Sequence, residues 1–173
     1  MTKKNLNHPQ KQAVTSHSKI IGIDPGKSGG ITVIDVREER TTSQKCPSSP
    51  KEMATVFSKA VKNSPPRDVV VYLEKVWAFP SDAKKTAFIF GQNYGQWEGI
   101  ISSHNIAIKY VTPKEWMKFY EIPKLSKKDR KNYIKDLAKE MCEDLKVTLS
   151  NSDSILIAFY GVNQGLELSS KSQ

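Results

Sequence analysis

The strongest constraint on the fold is an unbroken run of five apolar residues from Val69 to Leu73. β-Branched and aromatic residues favour extended backbone, and a run without polar alternation is typical of a strand buried on both faces. We therefore expect a central strand over residues 68–76. Such a strand needs helices on both sides of its sheet, which predicts an α/β domain.

The rest of the chain alternates between strand and helix patterns. Residues 19–35 predict two strands joined by a glycine-rich turn, and residues 37–49 predict a third strand or a hairpin. The spacing of apolar residues predicts the following further elements: a short strand at 106–111, a helix that Pro113 opens, and helices at 50–63, 86–103, 127–143 and 153–161. A loop is expected at 78–85. These elements predict a mixed central sheet flanked by helices.

The 173 residues suit one domain, which we expect to span residues 19–164. Residues 1–18 are polar, lack acids and contain three lysines, which predicts a disordered basic arm; an organellar transit peptide is the alternative. Residues 165–173 predict a polar tail. No segment approaches the ~18 apolar residues of a membrane span, so no membrane partner is expected. Two unrelated cysteines predict neither a disulfide framework nor a zinc site, and a reducing compartment is the default.

The chain is basic, with a formal net charge of +9 and a pI of about 9.5. A polyanion such as nucleic acid is the first partner to consider. A lysine-rich surface that serves only solubility is the alternative. We expect an intracellular protein, either in the cytoplasm of a bacterial or phage-infected cell or in an organelle or nucleus of a eukaryote.

Two carboxylates end predicted strands. Asp24 follows the first strand and precedes a turn rich in glycine, and Glu74 ends the central strand. If the strands are neighbours, both acids emerge at one edge of the sheet, where they repel each other unless a cation lies between them. Mg²⁺ is the leading candidate for that cation. The alternatives are a turn-forming aspartate before Pro25 and a strand-end glutamate paired with Lys75.

Asp153 is the third candidate acid, at the start of the last predicted helix. From that position its side chain can point back toward the edge of the sheet. The alternative is a capping arrangement in which Ser150 is the N-cap and Asp153 lies three residues on. An acid in the first turn of a helix is also favoured by the helix dipole.

Five segments together resemble the motifs of one family. They are IGIDPGKSGGI at 21–31, VVYLEKVW at 70–77, GQNYGQWEG at 91–99, VTPKEW at 111–116 and SDSILIA at 152–158. In this order, over about residues 19–162, they resemble RuvC-type Holliday junction resolvases, especially phage and organellar members. Each segment alone is weakly specific, whereas five in sequence are fairly specific.

The resemblance implies a ribonuclease H-like fold and a homodimer that makes paired symmetric nicks in a four-way DNA junction. It also implies a water nucleophile and two Mg²⁺ ions, for which Mn²⁺ can substitute. Asp24, Glu74 and Asp153 take the places of the family's catalytic metal ligands. Trp77 falls where some members carry an aromatic wedge for the junction centre, and a core or dimer-interface aromatic is the alternative.

Basic residues cluster at the entry to the helix at 127–143. In the family, lysines of this region contact DNA, and the alternative is a solvated helix face with interleaved acids. The predicted DNA-binding residues are Lys75, Trp77, Lys114, Lys124, Lys127, Lys128, Arg130 and Lys131.

The sequence departs from the family in one respect. A fourth acid or a histidine usually lies a few residues before the last aspartate, but here Ser150 and Asn151 occupy that region. Either could supply a neutral oxygen ligand, and Asn151 could stand where an acid has been replaced. A non-catalytic junction-binding module therefore stays open, as does a related nuclease for flaps, forks or RNA–DNA hybrids. An actin-like ATPase would need a much longer chain.

Overall fold

The computed structural model describes residues 17–75, residue 77 and residues 83–170, except for the side chains of 166–170. The predicted N-terminal arm lies outside the described residues apart from its last two positions, as do most of the predicted loop at 78–85 and the last three residues of the predicted tail. The described strands are β1 (Lys19–Ile23), β2 (Gly30–Asp35), β3 (Arg40–Lys45), β4 (Val69–Glu74) and β5 (Ala107–Val111). The described helices are α1 (Pro50–Val61), α2 (Lys84–Ser103), α3 (Pro113–Phe119), α4 (Lys127–Met141) and α5 (Ser152–Ser170), and a short 3₁₀ turn spans Pro66–Asp68.

The five strands form one mixed sheet in the order β3-β2-β1-β4-β5. β2 pairs antiparallel with both β1 and β3, whereas β4 pairs parallel with both β1 and β5. The predicted mixed sheet with flanking helices is confirmed. In the parallel pair Ile23 lies opposite Leu73, so β1 and β4 end at the same level of the sheet.

Both faces of β4 are buried, as its apolar run predicts. Val70 and Tyr72 pack in a cluster with α3, α4 and α5. Val69, Val71 and Leu73 pack on the opposite face with α1 and α2. This division follows from the alternation of side chains along a strand, and it gives the domain two apolar layers, one on each side of the sheet.

Glycines allow α5 to lie directly on the sheet. A Cβ on Gly22 in β1 would overlap backbone atoms of Ser154 and Ala158. A Cβ on Gly161 in α5 would lie 2.5 Å from the ring of Tyr72 in β4. Because the missing side chains leave this space, the helix approaches β1 and β4 more closely than larger residues would permit.

Local capping explains where two helices begin. The Thr112 side chain accepts a hydrogen bond from the backbone of Glu115, and the Glu115 carboxylate accepts one from the backbone of Thr112, which forms a capping box before α3. Ser126 caps α4 by accepting from the backbone N–H of Asp129 at 3.2 Å.

The end of α5 differs from its predicted position. Helix was predicted to end at 161, with a polar tail from 165, but α5 continues through Ser170. Polarity does not end a helix, and among the described residues no glycine adopts the positive φ of a helix-terminating turn. The predicted limit of the domain at 164 stays a prediction. Among the helices that the structure describes, none combines the length and apolar character that crossing a membrane requires.

Candidate functional site

Asp24 and Glu74 lie together at the edge where β1 and β4 end. Asp24 follows β1, and Glu74 is the last residue of β4 and only 7% exposed. Side chains at every second position of a strand share a face, so Glu74 lies on the same face as Val70 and Tyr72, the side of the sheet that α5 covers. The parallel register therefore brings the two predicted acids into one site.

The glycine-rich turn after β1 closes tightly around Asp24. The backbone N–H of Gly26 donates to Asp24 Oδ1 at 3.1 Å. A Cβ on Gly29 would lie 2.6 Å from Asp24 Cγ, so a larger residue would displace the carboxylate. The Cys46 thiol donates to the Asp24 carbonyl oxygen at 3.1 Å. The turn thus orients the acid, and glycine at 29 is required by a close approach.

Glu74 is held by a tryptophan from α3. The indole N–H of Trp116 donates to Glu74 Oε1 at 2.8 Å, and both residues are buried. From the sequence, Trp116 was expected only in the helix that Pro113 opens and in the motif at 111–116, and nothing in the local pattern reveals which carboxylate its N–H meets. This hydrogen bond fixes one oxygen of Glu74 and stabilises its charged form.

Asp153 lies in the first turn of α5 and reaches the same electrostatic site. Its Oδ1 accepts a hydrogen bond from the Ser152 hydroxyl at 3.1 Å. The predicted capping role of Ser150 is wrong, because α5 begins at Ser152 and the structure assigns the Ser150 side chain no capping bond among the described residues. The alternative role of Asp153 at the positive end of the helix dipole remains compatible with its position.

The three acids influence one another's ionisation. Burial, followed by the charges of Asp24 and Asp153, raises the pKa of Glu74 to about 8, although the Trp116 hydrogen bond and Lys131 act in the opposite direction. Burial and then Asp153 raise the pKa of Asp24 to about 6. Burial also raises the pKa of Asp153, against the lowering effect of Lys131 and Arg130. The site therefore places three acids where water solvates them poorly, and burial there favours their protonated forms.

Asp24, Glu74 and Asp153 carry the oxygen donors that a metal ion could use. In their present positions they do not form a metal site: within the described ranges, no group of three or more His, Cys, Asp or Glu side chains could hold a metal ion as the side chains stand. The donor chemistry nevertheless fits a hard divalent cation, since carboxylate oxygens are its preferred ligands and the mutual repulsion of the acids favours one. Among the described residues, none of the three carboxylates forms an ion pair with a protein cation within 4.0 Å.

The side chain of Asn151 is bonded within its own loop, whereas the sequence suggested that it could be a neutral metal ligand. Its side-chain oxygen accepts from the backbone N–H and the hydroxyl of Thr148 at 2.7 and 2.9 Å, and its amide donates to the Lys146 carbonyl at 3.2 Å. Asn151 is 3% exposed, so these bonds satisfy a buried amide. Its side chain organises the loop before α5.

The predicted DNA-binding residues fall into three groups, and Arg130 belongs to two of them. Arg130 and Lys131 in α4 are partly buried and lie close enough to the acids to lower their pKa values. Lys127 and Lys128 are exposed in the first turn of α4 and do not line the cleft described next. The first group thus adjoins the carboxylates and the second lies at the surface.

The third group lines one open cleft beside α3, which we call the α3 cleft, and shares Arg130 with the first group. It has a volume of about 880 Å³. Five predicted residues line it, namely Lys75, Trp77, Lys114, Lys124 and Arg130. Trp77 is 58% exposed, so the alternative of a core aromatic is wrong. Lys118, Met117 and Ile122 also line the cleft, although none of them was predicted to bind DNA. Met117 and Lys118 lie in α3, and the turn after α3 brings Ile122 beside them.

Comparisons with known proteins support the fold. No family model and no curated protein sequence matches the chain. Thermus thermophilus RuvC in complex with a Holliday junction substrate is similar in structure, with a TM-score of 0.54 and 14% sequence identity over 88% of this chain and 96% of that one. A second structure of Thermus thermophilus RuvC gives a TM-score of 0.52 at 15% identity over 86% of this chain and 97% of that one. The chain therefore has the ribonuclease H-like fold predicted from its motifs.

Proposed function

We propose that this chain is an endonuclease that resolves four-way DNA junctions by metal-dependent hydrolysis of phosphodiester bonds. The observation that carries the proposal is the meeting of Asp24, Glu74 and Asp153 at one edge of the sheet, beside Arg130 and Lys131. Acids that share a buried site and adjoin cations are suited to phosphodiester chemistry. The fold shared with a protein solved on a Holliday junction supports branched DNA as the substrate.

Asp24, Glu74 and Asp153 would hold Mg²⁺, with two ions expected and Mn²⁺ as a substitute. When bound, such ions supply an activated water and stabilise the leaving oxygen of the cleaved bond. Trp116 keeps one oxygen of Glu74 in place, and the tight turn orients Asp24. Asp153 would join the set by turning its side chain from Ser152 toward the other two acids.

Two groups of cations would bind the DNA backbone. Arg130 and Lys131 lie next to the carboxylates and would attract the phosphate to be cut. Lys127 and Lys128 lie in the first turn of α4, where the helix dipole adds to their positive charge and favours a second phosphate. Together with Lys75, Lys114 and Lys124 these residues would form a basic path past the acids.

Paired cuts require two active sites, and we propose that α2 forms the interface of a homodimer. Gly91, Gly95 and Gly99 repeat at every fourth position of α2, and a Cβ at each would meet nothing within 4 Å. Phe88, one turn before Gly91 on the same face, is 67% exposed. Each helical glycine costs ~1 kcal/mol relative to alanine. A second copy of α2 that approaches this face closely would offset that cost.

A junction-cleavage assay tests the proposed activity. Wild-type protein and the Asp24→Asn variant are incubated with a synthetic four-way junction in Mg²⁺, in Mn²⁺ and in EDTA. We expect paired nicks with either metal, none in EDTA, and loss of nicking in the variant without loss of junction binding. Lys62→Ala, at an exposed position after α1, serves as the matched control and should cut normally. Unchanged cleavage by Asp24→Asn would contradict the proposal.

A non-catalytic junction-binding module is the second candidate. It is favoured by the absence, among the described residues, of a group of acids that could hold a metal as it stands. The engagement of Asn151 within its own loop also favours it, since this side chain supplies no fourth ligand. Tight junction binding without cleavage at any metal concentration supports this candidate. Faster cutting of flaps, forks or RNA–DNA hybrids than of junctions would instead indicate a related nuclease.

A further inference from the structure

We propose that Ser152 is a positioning residue that holds the Asp153 carboxylate turned from Asp24 and Glu74, and thereby lowers the affinity of the three acids for a divalent cation. This proposal rests on the proposed function, because it concerns the third acid of the same metal site. Two observations carry it. The hydroxyl of Ser152 binds one oxygen of Asp153, and the backbone of this turn is fastened to the sheet.

The contact between Ser152 and Asp153 is shielded from water. The Ser152 hydroxyl donates to Asp153 Oδ1 at 3.1 Å, and Ser152 is 1% exposed. A hydrogen bond to a carboxylate is stronger than one between neutral groups, and a buried hydroxyl that loses its partner destabilises the protein. Turning Asp153 toward the other two acids breaks this bond, so the bond opposes the binding of a metal ion.

Among the residues that the structure describes, no cation holds the Asp153 carboxylate in its present orientation. Burial raises the pKa of Asp153, and the charges of Lys131 and Arg130 lower it together with the hydrogen bond from Ser152. Neither cation lies within 4.0 Å of the carboxylate as an ion pair. The two cations therefore act from a distance, and the Ser152 hydroxyl is the group in direct contact.

Three hydroxyl groups fasten the first turn of α5 to the sheet. Ser154 donates to the Asn151 carbonyl at 2.9 Å, so the hydroxyl of Thr32 in β2, 2.8 Å away, must donate to Ser154. Thr32 in turn accepts from Ser43 in β3 at 2.8 Å. Because each hydroxyl has one proton, the direction of every bond in this chain is determined. Thr32 and Ser154 are both 0% exposed, so water does not compete for these bonds.

Two glycines of the sheet hold the same turn in direct contact with β1 and β2. A Cβ on Gly30 would lie 2.8 Å from Ser154 Oγ, and a Cβ on Gly22 would overlap the Ser154 carbonyl oxygen. The backbone of the turn is thus fixed by contact from below and by the hydroxyl chain. Asp153 can reach the other two acids by rotation of its own side chain, and that rotation breaks the bond to Ser152.

The three acids differ in the donors that hold them. Asp24 accepts from the backbone N–H of Gly26. Glu74 accepts from the indole N–H of Trp116. Both of these donors belong to rigid planar groups, whereas the donor to Asp153 is a hydroxyl that rotates about a single bond. Asp153 is therefore the acid whose orientation depends on one small side chain.

The test measures the affinity of the full chain for Mn²⁺ by titration calorimetry in the absence of DNA. We expect Ser152→Ala to bind Mn²⁺ roughly fivefold or more tightly than the wild type, because the metal ion no longer competes with a hydrogen bond to Asp153. Thr55→Ala removes an exposed hydroxyl from α1 and should leave the affinity unchanged. Equal or weaker binding of Mn²⁺ by Ser152→Ala overturns the proposal.

A double-mutant cycle shows whether Ser152 acts through Asp153. In an Asp153→Ala background, Ser152→Ala should no longer change the affinity for Mn²⁺, since the carboxylate that it releases is absent. The same increase in affinity in both backgrounds would mean that Ser152 acts through another group, and the proposal would fail.

Stability with and without metal separates this role from a merely structural one. In urea denaturation with EDTA, Ser152→Ala should be less stable than the wild type, because a buried hydrogen bond is lost. Mn²⁺ should then stabilise Ser152→Ala more than it stabilises the wild type. Ser154→Ala removes a hydroxyl from the same turn without releasing Asp153, so Mn²⁺ should not stabilise it more than the wild type. Equal stabilisation of the wild type and Ser152→Ala, or a larger one in Ser154→Ala, contradicts the proposal.

The outcomes separate this proposal from the proposed function. If the wild type nicks junctions but Ser152→Ala binds Mn²⁺ no more tightly, the role of Ser152 is wrong and the nuclease stands. If Ser152→Ala binds Mn²⁺ more tightly but neither protein ever nicks a junction, the role of Ser152 stands and the nuclease is wrong.

Discussion

Glycines serve opposite purposes on the two sides of the sheet. On the α5 side, a Cβ on Gly22, Gly30 or Gly161 would collide with atoms of the same chain. On the α2 side, a Cβ on Gly91 or Gly95 would meet only open space. The first group of glycines allows a helix to approach the sheet. No contact among the described residues explains why glycine occupies the second group of positions.

The difference indicates where the molecule builds its site and where it presents a surface. The close approach of α5 brings Asp153 to Asp24 and Glu74, so the fit of this helix controls the arrangement of the acids. The open face of α2 lies on the other side of the sheet and contributes no acid to that group. Changes on the α5 side should therefore alter folding and chemistry together, and changes on the α2 side should alter association.

The largest effect is expected from Gly22→Ala. The new methyl group would overlap backbone atoms of α5, which cannot rotate away as a side chain would. We expect the free energy of unfolding to fall by roughly 3 kcal/mol, measured by urea denaturation. Gly91→Ala is the matched control on the α2 side and should leave the free energy of unfolding unchanged or raise it. Equal losses in the two variants would remove the distinction between the two groups of glycines.

The second largest effect is expected from replacing the buried carboxyl of Glu74, on the α5 side of the sheet. Glu74 has a pKa raised to about 8, so the folded state binds its proton more tightly than the unfolded state does. Metal-free wild type should therefore lose stability as the pH rises from the ordinary glutamate pKa of about 4.5 to about 8. Glu74→Gln, which can still accept from Trp116, should be more stable than wild type by about 2 kcal/mol at pH 9.

Urea denaturation in EDTA between pH 4 and pH 9 measures this difference. Glu140→Gln, at an exposed position of α4, is the control and should follow the wild-type profile. Adding Mg²⁺ should stabilise the wild type at high pH and leave Glu74→Gln less affected. Parallel profiles for wild type and Glu74→Gln would contradict the assignment of a buried, desolvated carboxyl.

The two buried tryptophans allow the two sides to be compared directly. Trp116 donates to Glu74, whereas the buried N–H of Trp97 on α2 lies by the Cys46 thiol and meets no carboxylate among the described residues. Trp116→Phe should cost about 1–2 kcal/mol more at pH 9 than at pH 5, since it leaves an ionised, buried carboxylate without its donor. Trp97→Phe should cost the same at both pH values. Chemical denaturation at the two pH values distinguishes these patterns, and a pH-independent loss in Trp116→Phe would contradict the role of its N–H.

The smallest change in stability is expected from Gly95→Ala. Alanine should raise the stability of the isolated protomer by up to ~1 kcal/mol, because its helix propensity is higher. The same methyl group should keep two α2 helices apart and weaken the proposed dimer, which sedimentation at several protein concentrations would reveal. Tighter or unchanged self-association in Gly95→Ala would show that the α2 face is not the interface.

Much of the fold could be predicted from local patterns. The apolar run of β4 predicted a strand buried on both faces, and its alternation sends Val70 and Val71 to opposite layers. Helix starts were readable at Pro50 and Pro113 because capping depends on neighbouring residues. The end of α5 could not be predicted from the sequence, since a helix that packs through its first turns can continue through polar residues.

Strand periodicity and composition are local properties, so the positions of Asp24 and Glu74 at strand ends and the basic charge follow from the chain alone. The folded chain was needed to show that β1 and β4 are parallel neighbours, that Trp116 contacts Glu74, and that Asn151 turns into its own loop. It also brought the residues of the α3 cleft together from three parts of the chain. These contacts join residues distant in sequence or depend on how a loop closes, so no local pattern encodes them.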